Sequence, residues 1–198
     1  MRYNVAKTEI VNPGIHSAEW ERAEVGYVAV DRWGYSPVPK TEFRMLRGPE
    51  GISVRMNAKE FHLRIEQTEE NSRVCDDSCM EFFFKPDPWD ANYINFEFNP
   101  RGVMFLSVGK DRHDRLLLDT DRSTFSIESE PEEGNWTLKF YIPDSFLLTH
   151  FEKIAPVCRG NFYKCAQASE YSHFGTWNEV EVDHPNFHLS DFFGLLAF

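Results

Sequence analysis

Short segments in which apolar and polar residues alternate recur from one end of this chain to the other: "TEFRML", "GISVRMN", "FHLRIEQ", "SCMEFFF", "YINFEFN", "VMFLSVG", "TFSIES", "NWTLKFYI", "NFYKCA" and the terminal "GLLAF". A period of two marks a strand with one face in a core, because successive side chains on a pleated backbone point to opposite sides. Many such segments at short spacing, separated by Gly, Pro, Asp and Asn, predict an antiparallel sandwich or barrel. Eighteen Phe, seven Tyr and five Trp suit half-buried pleated surfaces better than helices. The expected fold is therefore all-β: a jelly-roll-like antiparallel β-sandwich, one domain over residues 1–198, with at most one or two short helices. The helix-like start is in "IPDSFLLTHF", where Asp144 or Ser145 can cap an apolar stretch. "RGPEG" (47–51) and "PEEGN" (131–135) hold the Pro and Gly that reverse a chain between strands. Residues 23–38 and 167–191 read as long, ordered, aromatic-bearing loops, the kind that carry function in a compact domain.

Charge removes two classes of partner. A formal net charge of −11, with 32 acidic against 21 basic residues and no run of Lys and Arg, disfavours nucleic acid and an anionic membrane surface. No apolar stretch approaches the roughly 20 residues that cross a bilayer as a helix. The opening "MRYNVAKTEI" has no apolar signal region, so the expected location is cytoplasmic if Met1 is the native start, and otherwise extracellular after signal removal. The four cysteines, in Cys75-x3-Cys79 and Cys158-x6-Cys165, lack the second half of a paired zinc motif. Cys79 is expected to border the polar surface and not to bridge to Cys158 or Cys165. His184 and His188 stand four apart, but Pro185 argues against a helix presenting both. No nucleophile elbow, phosphate-cradling loop or dinucleotide fingerprint appears.

The richest stretch is "VCDDSCMEFFFKPDPWDANYINFEFNPRG", residues 74–102. On its first strand Met80, Phe82 and Phe84 share one face, and Cys79, Glu81 and Phe83 the other. The next strand repeats the pattern, with Ile94, Phe96 and Phe98 against Asn95, Glu97 and Asn99. If the two form a hairpin, the apolar rows join in the core, and Glu81 and Glu97 lie across from each other on the opposite face. Opposed like charges destabilise by a few tenths to about 1 kcal/mol unless a cation, a neighbouring Arg, a ligand's hydroxyls or proton sharing compensates. Three readings follow from the residues: the solvated side of an amphipathic sheet, a sugar-binding surface, or a catalytic acid and base pair.

The runs "DDSCMEFFFKP" and "YINFEFNPRG", the upstream "TEFRML…GISVRM" and the closing "RGNFYKCA…WNEV…NFHLSDFFGLLAF" resemble the family 9 carbohydrate-binding modules, from about residue 40 to the end. The resemblance implies a non-catalytic β-sandwich that holds the end of an oligosaccharide or polysaccharide between two aromatic rings with polar groups at the edge. Some members also carry structural calcium. It implies that Trp177 is one stacking ring and Glu81 the edge carboxylate. Asn95, Glu97, Asn178 and His173 are the further polar side chains expected at the site. Cys75 stands where the second ring belongs, Glu97 where the family has a sugar-contacting Arg, and Phe174 where it has Asn. Trp33, Tyr35, Trp89 and Tyr171 are the aromatic residues available to replace the missing ring. The alternatives are a glycoside-active enzyme using the Glu81/Glu97 pair and a sandwich that binds another protein.

Overall fold

Strands form where the alternating segments have apolar neighbours to pair with. The computed structural model, which describes residues 1–198, contains β1 (Arg2–Asn4), β2 (Ala6–Lys7), β3 (Gly26–Val28), β4 (Lys40–Arg47), β5 (Gly51–Lys59), β6 (Cys79–Lys85) and β7 (Tyr93–Phe98). There follow β8 (Met104–Gly109), β9 (Arg115–Leu117), β10 (Glu128–Glu132), β11 (Asn135–Pro143), β12 (Val157–Cys165), β13 (Phe174–Thr176) and β14 (Gly194–Ala197). An eight-stranded sheet runs β1-β14-β12-β6-β7-β8-β9 with β13 beside β12, and a six-stranded sheet runs β10-β11-β5-β4-β2 with β3 beside β4. The two sheets pack as a sandwich. Pairing is antiparallel except where β1 joins β14 and β2 joins β4 in parallel. No helix is long and apolar enough to cross a membrane.

The inward rows are those the alternation predicts. Phe82, Phe84, Phe96 and Phe98 are fully buried and meet Phe43, Met45, Val54, Met56, Leu138, Phe140 and Ile142 of the facing sheet. Phe82, Phe162 and Phe43 stack in series, with centroids 4.5 and 3.6 Å apart. Each such ring contributes about 1.5–3 kcal/mol by leaving water. Both expected hairpins form: 47–51 joins β4 to β5 and 131–135 joins β10 to β11, where Gly134 takes the left-handed conformation with φ of 76°.

Three local expectations are corrected. Residues 61–67, "FHLRIEQ", form no strand, because side chains satisfy their backbone donors: Ser78 Oγ accepts from the Arg64 amide, and the Asp77 carboxylate accepts from the amides of Glu66 and Gln67. The strand expected at 124–129 starts at Glu128, after a 3-10 turn over Arg122–Phe125 whose Phe is buried. The helix α1 (Asp144–Leu147) is a single turn capped by neither expected side chain. Asp144 instead makes a bidentate ion pair with Arg47 at 2.5 and 2.6 Å, a stronger use of the carboxylate than one cap bond.

The outward face of the eight-stranded sheet is not open to water. A second apolar cluster covers it, with Val74, Phe83, Tyr93 and Tyr163 meeting Val180, Phe187 and Phe193 from the long C-terminal loop. The loop at 23–38 also reaches this side, where Val30 bridges to Thr176. This cover turns a flat amphipathic sheet into a walled site.

Candidate functional site

Glu81 and Glu97 are cross-strand partners, as the hairpin register predicts. They are only 2% and 5% exposed, so a solvated sheet face is excluded. They form the floor of a pocket of ≈150 Å³ walled by Phe105 and Phe187 and rimmed by Arg73, Arg112 and Arg115. That volume lies below the roughly 300–1,000 Å³ of drug-sized ligand sites, so it holds one ring-sized group and not a length of chain.

The like charges are compensated in two ways. Arg115 stands 3.9 Å from Glu97 Oε1 and lies over the Phe105 ring at 4.9 Å. Proton retention does the rest. Burial pushes Glu81 up to about 7, against the Cys165 and Cys79 thiols and the arginines, which favour its ionised form. Burial and then the Glu81 charge push Glu97 well above the ordinary carboxylate range. The pair titrates as a unit and holds a proton near neutrality.

Neighbours orient this floor. Asn95 Nδ2 donates to Glu97 Oε1 at 2.8 Å, and Ser107 Oγ donates to Asn95 Oδ1 at 2.5 Å. Arg115 donates to His188 Nε2 at 3.2 Å, so the His188 proton sits on Nδ1 and points at the Tyr93 hydroxyl 2.7 Å away. Burial first, and then Arg115, push His188 down to about 3 and keep it neutral. His184 is exposed and does not join it. Phe187 is fixed by stacking on Tyr163 with centroids 4.1 Å apart, and Trp33 buttresses it from behind at 6.1 Å.

The other expected site residues lie elsewhere. Trp177 is the main correction. Its ring is 4% exposed and packs edge-on against Tyr3, Phe43 and Phe162 in the core between the sheets. Gly194 is pressed so closely on it that an added methyl group would lie 2.6 Å from the indole. No face of Trp177 is free for a sugar. Asn178 is half-buried and ties down the chain's beginning: its Oδ1 accepts from the Met1 ammonium and its Nδ2 donates to Phe192 O. His173 lies in a separate buried cluster, where Lys164 donates to its Nε2 at 3.0 Å and pairs with Glu60 at 2.9 Å. Burial and that ammonium push His173 down to about 4. Tyr171 stacks on His62 at the surface, in a different groove. Trp33 supports the pocket wall without lining it, Trp89 is fully outside on the β6–β7 turn, and Tyr35 packs on Phe174.

Cys75 lines the pocket, and Cys79 does not border open surface: it is buried and faces Cys165 directly across β6 and β12. All four thiols are free. Calcium takes six to eight oxygen ligands. Only one group of three His, Cys, Asp or Glu side chains converges, and its two thiols make it unsuited to calcium. Sequence reasoning missed Arg112, Arg115, Phe105 and Phe187, which come from a short edge strand, its approach, β8 and a loop. The only signal for them was the need to balance opposed glutamates.

A two-sheet sandwich with a small walled pocket on one sheet's outward face, polar at its floor and aromatic at its sides, defines a β-sandwich binding module. The chain belongs to carbohydrate-binding family 9, whose sequence profile matches residues 11–198. It is similar to a Bacteroides uniformis ATCC 8492 protein assigned to carbohydrate binding, with 27% identity, a TM-score of 0.88, and coverage of 100% of this chain and 98% of that one. The fold is also that of a family 9 module from Caldicellulosiruptor kristjanssonii, solved with cellotriose (12% identity, TM-score 0.69, covering 100% and 93% of the two chains) and with glucose (11%, 0.69, 100% and 95%). No curated protein matches the chain.

Proposed function

We propose that this protein binds the end of an oligosaccharide or polysaccharide, without cleaving it, in the pocket above Glu81 and Glu97. The observation that carries the reading is the combination at one point of a fixed polar floor and two phenylalanine walls in a space the size of one sugar ring. Phe105 and Phe187 cover the apolar C–H surface of a pyranose, and Glu97, Arg115 and Arg112 pair with its hydroxyls. Arg115 performs the task that a Trp clamp leaves undone here, because its guanidinium is already held over the Phe105 ring, 4.9 Å from the centroid.

A raised carboxyl pKa is what a glycosidase needs, yet the geometry favours binding. Hydrolysis requires two carboxyls that flank the scissile bond. Glu81 and Glu97 are adjacent cross-strand residues that rise from the same floor on one side of the pocket. They leave no carboxylate on the far wall.

The test is calorimetric titration of glucose and cellotriose into wild type and Arg115→Ala. Wild type is expected to bind with a Kd of high micromolar to millimolar, about −4 to −6 kcal/mol, and the variant to lose at least tenfold. Cellotriose should return unhydrolysed. Equal affinity of wild type and variant, or release of shorter sugars, overturns the reading.

A further inference from the structure

We infer that Cys79, Cys165 and Glu81 form a binding site for one thiophilic divalent cation beneath the floor of the sugar pocket. Their two sulfurs and a carboxylate oxygen lie within 4.8 Å of one another, and all three residues are buried. The group is built by the sheet and not by a flexible loop. Cys79 and Cys165 are register partners across β6 and β12, and Glu81 follows two residues along the same face of β6. The Cys165 thiol already donates to Glu81 Oε1 at 3.0 Å.

A tetrahedral zinc centre, with Zn–S of about 2.3 Å and Zn–O of about 2.0 Å, places its ligand atoms roughly 3.5–3.8 Å apart. Small side-chain rotations close the observed group to that size. On binding, Cys79 and Cys165 each lose a proton to solvent and Glu81 loses any proton it holds. The cation then meets three anionic donors in a buried site. The fourth position opens toward the pocket, where Cys75 lies and its carbonyl is 3.7 Å from the Cys165 sulfur. Two thiolates select zinc-like ions over calcium or magnesium. The arginines at the rim disfavour a loosely held cation, but they offset the net negative charge of a site filled with two thiolates and a carboxylate.

The site does not rest on the sugar reading, and its test uses no sugar. The purified protein, residues 1–198, is kept reduced, its four thiols are counted after denaturation, and Co²⁺ is titrated into the native protein as a spectroscopic probe. One equivalent is expected to bind with a sulfur-to-cobalt charge-transfer band and intense tetrahedral d–d bands, both removed by one equivalent of Zn²⁺. Cys79→Ser and Cys165→Ser should each lose the charge-transfer intensity, while Cys158→Ser, whose thiol lies near the Pro86 and Ala155 carbonyls instead, should keep it. Absence of a thiolate band in reduced, folded wild type overturns the proposal whatever the variants do. So does a wild-type band in Cys79→Ser or Cys165→Ser, or a count of two thiols in protein purified without reductant and then denatured, showing that the pair is a disulfide.

Discussion

Trp177→Ala is expected to lower the free energy of unfolding by about 3–5 kcal/mol, the usual result of deleting a large aromatic ring from a packed core. The ring meets Tyr3, Phe43 and Phe162 and closes on Gly194. Its removal therefore leaves a hole where β1, β4, β12 and β14 converge. Urea denaturation without sugar measures the effect. A variant that keeps wild-type stability while losing sugar affinity would restore Trp177 as a stacking platform. The opposite outcome separates two roles that a family resemblance alone merges.

Glu81→Gln is expected to stabilise the metal-free protein above neutral pH. The folded carboxyl titrates at about 7 against an ordinary 4.5. Below 4.5 both folded and unfolded chains are protonated at Glu81, and its burial is fully tolerated. As pH rises from 4.5 to 7 the unfolded chain ionises first, so stability falls through that window and levels off above it. At about 1.4 kcal/mol per pH unit, the loss is on the order of 3 kcal/mol. Glutamine is neutral at every pH and close in shape, so the variant should exceed wild type by that order at pH 8 and match it near pH 4. Thermal melts across the range read the difference directly. Parallel stability curves for the two proteins would mean that Glu81 is ionised in the fold at no cost, with Arg115 and Arg112 supplying more than burial removes.

The fold was readable from side-chain alternation because one face of each long strand meets a core. Met80, Phe82 and Phe84 could point nowhere else, and their register with Ile94, Phe96 and Phe98 placed Glu81 opposite Glu97. Alternation carries no information about what lies over the other face. That depends on the segment 167–193, whose Phe187 and Phe193 return over β6 and β12 and convert an apparent solvent surface into a buried floor. The same limit explains Cys79 and Cys165, far apart in sequence and paired only once β6 and β12 are neighbours. It also explains "FHLRIEQ", whose strand-like alternation lost to Ser78 and Asp77 as acceptors for its amides.

Sugar is expected to enter the pocket above Glu81 and Glu97 and to leave Trp177 untouched. Chemical-shift mapping of isotope-labelled protein during a glucose titration tests it most directly. Saturable shifts are expected at Glu97, Phe105, Arg115 and His188, with the Trp177 indole N–H unmoved. Shifts centred on Trp177 or on the Tyr171 and His62 groove, with the Arg115 and Phe105 resonances unchanged, would contradict it.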